Sequence, residues 1–415
     1  MIEKYVSPPK TLKRLRAGLS GSHIDDFADA LEKQGYAHSS VIRYLRAAAH
    51  LGRFLQRKGG TLADVDAGTL EAFVRHLSHC RCSRFFTERT GAHPRCGVKL
   101  FYRHLVGRGI CQTHQAGNGE NDEPALVAAF RDWLRIHRGA TQPTLRLYTR
   151  GAIDLLLALG EDVSRWDAQG VRAFLLDRAK QYGAESTQKL TTSMRAFLRY
   201  LIACGEAQED LDLAVPAIAH WRLATLPRCL SAEELDRLIA ACDGTTPGRL
   251  RDRAIMLLLS RLGLRAGDVA QLRFTDINWK SGTVQVIGKG RRQVCLPLPQ
   301  DVGDALLRYL ECRPQVSDTN RIFLRSIAPF KPFTSGDGVS HVVKHALRRA
   351  DIETPAKGAH LLRHTAATEM LRHGVPLDQI GLVLRHRSID MTAYYAKVDV
   401  ALLQQIAQPW PEVNS

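Results

Sequence analysis

Two features are missing from this 415-residue sequence. It has no apolar run long enough to cross a bilayer, since the longest runs, near residues 155–160 and 255–260, are only a few residues long. It also lacks a secretory signal pattern at its N terminus. The sequence therefore predicts a soluble intracellular protein with no membrane partner.

Cysteine usage excludes a disulfide-rich secreted protein. The nine cysteines are an odd number and are scattered through a long chain. This pattern is typical of reduced thiols in a reducing compartment.

Basic residues exceed acidic ones, and the excess is uneven. The chain has 58 Lys and Arg against 42 Asp and Glu, for a net charge of +16. The local balance is +10 over residues 1–119, −2 over 120–220 and +8 over 221–415. This balance favours a polyanionic partner. Because arginine dominates, a basic protein from a GC-rich genome explains the charge equally well, so charge alone leaves both interpretations open.

One stretch, residues 359–398, concentrates side chains that suit phosphate chemistry. It contains a His-x-x-Arg unit, an Arg-His pair and two adjacent tyrosines, and two further cations lie upstream in Gly-Leu-Arg and Gly-Lys-Gly. The residues are His360, Arg363, Arg385, His386, Tyr394, Tyr395, Arg265 and Lys289.

These residue types match what a phosphodiester under attack requires. Two guanidinium groups fit its non-bridging oxygens better than ammonium groups do. A tyrosine hydroxyl is a poor nucleophile at its ordinary pKa of about 10, so it needs a charged environment or a base. Histidine exchanges protons near neutral pH, and lysine can protonate a leaving alkoxide. No carboxylate cluster for Mg²⁺ accompanies the set, and the sequence predicts no cofactor.

In this order and spacing, the set resembles the tyrosine recombinase (phage integrase) family over roughly residues 231–397. The matching units are Gly263-Leu264-Arg265 with Asp268, Lys289 in a hairpin turn, His360-x-x-Arg363 and Leu384-Arg385-His386. The family has glycine where this chain has Arg385. Its nucleophile lies nine residues after the last histidine, which selects Tyr395 over Tyr394.

The resemblance implies a site-specific DNA recombinase that cleaves and rejoins strands without ATP. Tyr395 would form a 3′-phosphotyrosyl link, and recombination would pass through a Holliday junction on double-stranded DNA sites within a tetramer of this chain or of sister recombinases. It also implies a bacterial cytoplasmic, nucleoid-associated location. The resemblance also implies roles for the other residues. Arg265 and Arg363 would bind the phosphate, and Asp268 would orient Arg265. His360 and His386 would assist the reaction, with His360 favoured as the base, and Lys289 would protonate the leaving oxygen.

Three other functions compete with this interpretation. A type IB topoisomerase shares the chemistry, a DNA-binding regulator could carry an inactive site, and a helical scaffold would not bind DNA at all. The tandem bundles and the integrase-like spacing argue against the topoisomerase, and the complete set of side chains argues against the regulator. Absence of DNA binding at moderate salt would indicate the scaffold. The length of the N-terminal region favours the integrase of a mobile element over a shorter chromosome-dimer resolvase.

The sequence predicts a mainly α fold with a small β-hairpin in the catalytic domain, preceded by tandem helical bundles. The predicted strands are 283–287 and 293–297. We expect a flexible basic arm (1–20), a helical DNA-binding bundle (21–119), a core-binding bundle (123–213), a linker (214–227), a catalytic domain (228–398) and a tail (399–415). The tail either packs on a neighbouring protomer or folds back on its own domain.

The two bundles read as an internal duplication. The same apolar and aromatic residues recur in the same order: Phe27 and Phe130, Tyr44 and Tyr148, Asp66 and Asp167, Phe73 and Phe174, and Phe101 and Phe197. Residues 116–123 would link the copies. Similar amphipathic helices would produce a weaker version of this pattern, and the shared spacing favours duplication.

The first copy also contains a Cys/His stretch. Cys80, Cys82, His93 and Cys96 are a possible Zn²⁺ ligand set. Cys-x-Cys spacing is unusual for zinc, however, and reduced thiols beside histidines that contact DNA phosphates fit the sequence better.

Overall fold

The computed structural model describes residues 2–80, 82, 92–111, 123–217, 228–287, 293–316, 319–386 and 388–398. The predicted linker between the bundles, the hairpin tip with Lys289, most of the 214–227 linker and the tail from residue 399 lie outside these ranges. None of the helices described there is long and apolar enough to cross a membrane. The chain divides into two compact units, one formed by Met1–Gln112 with Thr225–Ser415 and the other by Thr113–Ala224.

In the residues that the structure describes, the first bundle contains five α-helices and a core of its own. They are α1 (Pro9–Arg16), α2 (Ile24–Lys33), α3 (His38–Arg57), α4 (Ala67–His79) and α5 (Ala92–Gly107). Apolar residues at helical spacing on each segment form the buried faces, and Phe27 packs edge-on against Phe101 with ring centroids 5.1 Å apart.

The N-terminal residues do not form the flexible basic arm that we expected. Ile2 and Leu15 are fully buried in the core of the first bundle, and α1 begins at the second proline of the Pro-Pro pair. Arg16 holds the segment in place by ion pairs with Glu3 and Asp25 at 2.7 and 2.9 Å. The basic residues lie on the outer face of a helix whose inner face is apolar, so charge obscured the amphipathic pattern.

The second bundle repeats four of these helices in the same order. They are α6 (Ala125–Arg138), α7 (Gln142–Leu159), α8 (Ala168–Gln181) and α9 (Ala184–Ala203). Phe130 and Phe197 form the equivalent aromatic pair at 5.0 Å. Asp66 and Asp167 each cap a helix by accepting a backbone N–H three residues on, both at 2.7 Å. The two bundles thus share the same helix caps and the same pairs of phenylalanine rings in their cores, which supports the interpretation that they arose by duplication.

The C-terminal region, which the sequence predicts to be the catalytic region, is helical around a three-stranded antiparallel sheet. Its helices are α10 (Ala232–Ala240), α11 (Pro247–Arg261), α12 (Ala266–Gln271), α13 (Gln300–Cys312), α14 (Gly336–Arg349), α15 (Ala359–Arg372), α16 (Leu377–Leu384) and α17 (Asp390–Ala393), followed by a 3₁₀ turn at Tyr394–Val398. The strands are β1 (Ile277–Asn278), β2 (Thr283–Ile287) and β3 (Gln293–Pro297), in that order, with Val284 opposite Leu296. The predicted hairpin strands are confirmed.

Helix α11 is the centre of this region. All but one of its last eight residues, Ala254–Arg261, are buried, and α13, α14 and α15 pack around it. A second, smaller core forms where α15, α16 and the final turn meet, from Ala367, Ile380, Leu384 and Tyr395. The mainly α fold predicted from the sequence is confirmed, and this smaller core positions the tyrosine.

Candidate active site

Tyr395 is buried at the end of the chain that the structure describes. Only 2% of the residue is exposed, and its hydroxyl lies 2.8 Å from Nδ1 of His364. Burial raises the pKa of Tyr395 to about 12, although the nearby Arg363 acts in the opposite direction. The phenol is therefore protonated and shielded from solvent when DNA is absent.

His364 is the partner that the sequence analysis missed. Burial, with the neighbouring His360 and Arg363, lowers the pKa of His364 to about 4, so the imidazole is neutral at pH 7. A neutral ring that carries its proton on Nε2 accepts the phenolic hydrogen at Nδ1. His360 and His364 are four residues apart and therefore lie on the same face of α15. That spacing, within His-x-x-Arg-His, could have identified it.

Arg363 connects three elements from a buried position. Its guanidinium donates to the carbonyl oxygens of Gly263, after α11, and Leu384, at the end of α16. Burial and the nearby Arg265 lower the pKa of Arg363 to about 10, which still leaves it charged at neutral pH. Gly263 has φ +56°, and a Cβ there would lie 2.5 Å from Cδ2 of Leu384. The Gly-Leu-Arg unit therefore needs its glycine for both conformation and space.

Arg265 stands at the start of α12 and reaches the segment after α16. Its Nη2 donates to the carbonyl oxygen of Arg385 at 3.0 Å, and its backbone N–H donates to Asp268 at 3.2 Å. The Asp268 carboxylate forms its ion pair with the guanidinium of Arg385, at 2.7 Å, and contacts Arg265 through the backbone. Asp268 therefore contacts both the backbone of Arg265 and the side chain of Arg385, and its role in orienting Arg265 stays a prediction.

Arg385 occupies the position where the family has glycine, and its backbone shows why glycine suits it. The residue has φ +57° and ψ +49°, the left-handed region that side chains other than glycine rarely adopt. Its side chain is 5% exposed, and within the described ranges its Nε and Nη1 have no hydrogen-bond acceptor. The substitution therefore adds the guanidinium of Arg385, whose side chain is buried, to those of Arg265 and Arg363.

His386 stacks on the tyrosine. The two ring planes are 3° apart with centroids at 6.3 Å, and Nδ1 of His386 lies 2.8 Å from the Thr392 hydroxyl. Burial, with the charges of Arg363 and Arg265, lowers the pKa of His386 to about 4. This imidazole is also neutral at pH 7.

The remaining predicted residues are less closely gathered. His360 lies near the start of α15, more exposed than the others, with its ring 6.2 Å from that of His364. Lys289 lies outside the described residues. Cys80 and Cys82 are buried in the first bundle, Cys96 is exposed on α5, and the side chain of His93 is not described.

Among the described residues, three guanidinium groups and one carboxylate meet at this site, which gives it an excess of positive charge. A cluster of cations attracts an anionic group, and planar guanidinium groups suit phosphate oxygens. A phenol and two neutral imidazoles adjoin them. The fold and the site together indicate a class of proteins in which a tyrosine hydroxyl lies beside a group of arginines that can bind a phosphate group.

Comparison with known proteins agrees with this class. Residues 228–401 match the phage integrase family. The putative integrase/recombinase y4rA of Sinorhizobium fredii is 33% identical over 98% of both chains, and tyrosine recombinase XerD of Yersinia pestis is 28% identical over 70% of this chain and 97% of its own.

Solved structures share the fold at low sequence identity. The XerH recombinase bound to a palindromic difH substrate is 17% identical, with a TM-score of 0.55 over 69% of this chain and 85% of that chain. A lambda integrase dimer bound to a COC′ core site is 18% identical, with a TM-score of 0.53 over 70% and 98%. The chain belongs to the phage integrase family, the tyrosine recombinases, which break and rejoin DNA strands.

Proposed function

We propose that this chain recombines double-stranded DNA at specific sites, with Tyr395 as the nucleophile. The observation that carries the proposal is the buried phenol of Tyr395, bonded to the neutral imidazole of His364 and adjacent to Arg363. The site thus provides a nucleophile, a proton acceptor and a cation, which are three of the parts that this reaction requires.

Strand cleavage would proceed in one balanced step. The Tyr395 oxygen attacks the scissile phosphorus while its proton passes to an imidazole. The bond from phosphorus to the 5′ oxygen breaks, and the departing oxygen takes up a proton, for which we propose Lys289 as the donor. The 3′-phosphotyrosyl link keeps the phosphoester, so the reverse attack by a 5′ hydroxyl rejoins a strand without ATP.

The contacts favour His364 over His360 as the first acceptor of the phenolic proton. His364 is in hydrogen-bond range of the Tyr395 hydroxyl, whereas His360 is more exposed at the start of the helix. We assign phosphate binding to Arg265 and Arg363, with His360 and His386 beside it. Arg385 would add a third guanidinium to the same anion.

The resting site must open before it reacts. With 2% exposure, Tyr395 cannot reach a phosphodiester in solution. Bound phosphate would introduce negative charge next to the arginines, raise the pKa of the histidines and give the buried donors of Arg385 an acceptor. DNA would thus stabilise an arrangement that the free protein does not adopt.

Integration or excision of a mobile element is the biological reaction we propose. The full-length likeness to putative integrase/recombinases supports it, whereas XerD matches only 70% of this chain. A solved lambda integrase tetramer is bound to a Holliday junction. We propose that this chain also assembles as a tetramer, of itself or with sister recombinases.

Trapping covalent adducts tests the proposal. The wild-type protein is expressed in its host, adducts are captured under denaturing conditions, and the attached DNA ends are sequenced. We expect ends at a few related sequences, joined through Tyr395, and no adduct with Tyr395→Phe. Adducts scattered across the genome, together with relaxation of supercoiled plasmid, would instead indicate a type IB topoisomerase.

A further inference from the structure

Four side chains with metal-binding atoms meet inside the first bundle, and none of them belongs to the candidate active site. We propose that His50, His76, Cys80 and Cys82 bind one structural Zn²⁺ ion. Their ligand atoms all lie within 4.8 Å of one another. His50 lies in the middle of α3, His76 in the last turn of α4, and the cysteines in the chain that leaves α4.

The spacing of the four atoms fits a tetrahedral ion. Zinc bonds of about 2.05 Å to nitrogen and 2.3 Å to sulfur put two ligand nitrogens about 3.3 Å apart, and a nitrogen and a sulfur about 3.6 Å apart. The Nε2 atoms of His50 and His76 are 3.3 Å apart. Nε2 of His50 lies 3.5 Å from Sγ of Cys80, and Nε2 of His76 lies 3.7 Å from Sγ of Cys82.

The surroundings of the sulfurs suit thiolates. The backbone N–H of Cys82 donates to Sγ of Cys80 at 3.2 Å, and the guanidinium of Arg57 donates to Sγ of Cys82 at 3.3 Å. Hydrogen bonds to a ligating atom and a nearby cation both stabilise the deprotonated sulfur that binds metal. Each sulfur is therefore in contact with one imidazole and one hydrogen-bond donor. Such hydrogen bonds to the ligand atoms are expected around a metal site.

The second bundle acts as an internal control. In the duplication, Asp154 and Asp177 occupy the positions of His50 and His76, and two residues connect α8 to α9. In the first bundle, twelve residues connect α4 to α5, and the two cysteines lie at the start of this connection. The helical bundle therefore forms without the His/Cys set, which occurs only in the copy with the long connection.

The ligand chemistry selects zinc and a structural role. Two thiolates and two neutral imidazoles without a carboxylate suit Zn²⁺ better than Mg²⁺ or Ca²⁺. Four protein ligands close the coordination sphere and leave no position for a substrate or an activated water. The two sulfur charges balance the ion. The ion would fasten α3 to the chain after α4 and so fix where the twelve-residue connection begins.

The metal content of the full-length protein tests the site. Protein purified without chelator or metal resin is measured by mass spectrometry of its metals. We expect about one zinc per chain in the wild type, and a loss of most of it in Cys80→Ser, Cys82→Ser and His76→Asn. Cys96→Ser and His79→Asn are matched controls, because both residues are exposed in the same bundle, and both variants should keep the metal.

Two measurements on the wild type do not depend on how the variants fold. After chelation, added Co²⁺ should produce the visible bands of a tetrahedral ion together with a thiolate charge-transfer band. Alkylation mapped by peptide mass spectrometry should show Cys80 and Cys82 protected by zinc and exposed by chelator, with Cys96 reactive in both states. A wild type that takes up no zinc, or a site lost in Cys96→Ser but kept in Cys80→Ser, would overturn the proposal.

Discussion

Tyr394 and Tyr395 are adjacent, and their environments differ. The Tyr395 hydroxyl is bonded to His364, and its ring stacks on His386. Tyr394 is half-buried, with its ring 5.9 Å from that of His364 and 5.8 Å from that of Tyr395. The ring of Tyr394 therefore packs beside both Tyr395 and His364.

Removal of a single hydroxyl distinguishes the two tyrosines, because phenylalanine keeps the ring and its packing. We expect Tyr395→Phe to form no covalent adduct on a DNA duplex that carries its site, with specific binding retained in a mobility-shift assay. Tyr394→Phe should form the adduct, at a rate reduced no more than about tenfold, equivalent to about 1.4 kcal/mol. Adduct formation by the 395 variant and not by the 394 variant would show that the nucleophile is the preceding residue.

The half-buried His364 predicts how stability depends on pH. The folded protein holds the pKa of His364 at about 4, below the ordinary value of 6.5 in the unfolded chain. Between these values the unfolded state binds more protons, so stability is complete above about pH 6.5 and is lost as pH falls toward 4.

Chemical denaturation at pH 7 and pH 5 tests this dependence. In His364→Asn, the loss of unfolding free energy between the two pH values should be smaller than in the wild type by on the order of 1 kcal/mol. His373→Asn is the matched control, an exposed histidine at the end of the same helix, and should lose as much as the wild type. An equal loss in all three proteins would contradict the inferred burial of a neutral His364.

For individual residues, the sequence indicated the candidate side chains of the site but not the contacts between them. The resemblance to the phage integrase family made candidates of His360, Arg363, His386 and Tyr395, whose roles stay predictions. The hydrogen bond of His364 and the ion pair between Arg385 and Asp268 join residues 31 and 117 positions apart. Such pairs depend on how α12, α15 and α16 meet, which spacing along one element does not determine.

Elements were predicted well wherever a local signal was strong. Ser231 and Glu234 have the Ser-x-x-Glu spacing typical of a helix start, and they form a capping box at the start of α10 with both hydrogen bonds present. The strands β2 and β3 have the predicted bounds, because β-branched residues flank a glycine-rich turn. The two-residue strand β1 was missed, since it exists only by pairing with β2.

The geometry of the turn between α11 and α12 allows a prediction for Gly263→Ala, which adds one methyl group. In Gly263→Ala, the new Cβ would approach Leu384 to 2.5 Å, and alanine would have to adopt φ +56°. We expect a loss of about 1–2 kcal/mol in unfolding free energy from the backbone alone. DNA cleavage should also fall, because Leu384 precedes Arg385 and His386.

Gly267→Ala is the matched control in the same region. A Cβ at Gly267, within α12, meets no atom within 4 Å, and helical alanine is favourable. Stability and cleavage should therefore be unchanged or slightly improved. If the two alanine variants behave alike by denaturation and by cleavage, the close approach at Gly263 has no energetic importance.

The composition of the whole chain favours a polyanionic partner, but it does not show which residues contact that partner. The catalytic region and the first bundle belong to one compact unit, in which the ring of Phe330 leaves no room for a Cβ at Gly35. Sequence periodicity carries no information on such a contact between distant segments. The duplication was recognisable because it repeats local patterns, whereas the cluster of His50 with Cys80 and Cys82 was not, because His50 lies on another helix.

One basic stripe in the first bundle offers a specific test of DNA binding. Arg95, Lys99 and Arg103 are four residues apart on α5, so they share one face, and all three are exposed. Within the described ranges, none of the three forms an ion pair. In the second bundle the residue equivalent to Arg103 is Arg199, which pairs with Asp212 at 2.8 Å. The first bundle therefore keeps three cations available for phosphates on one helix face.

The salt dependence of DNA affinity measures how many of these cations bind phosphate. Removal of one cation that binds a phosphate reduces the slope of log K, the DNA-binding constant, against log salt concentration by about 0.9. Alanine at Arg95, Lys99 and Arg103 together should therefore reduce the slope by up to about 2.7. Alanine at Lys4, Arg165 and Lys189, each paired with a carboxylate, removes the same formal charge and should change the slope far less. An unchanged slope in the α5 variant, with affinity also unchanged, would show that this face of the first bundle does not bind DNA. Equal reductions in both variants would mean that net charge, rather than the position of the stripe, determines binding.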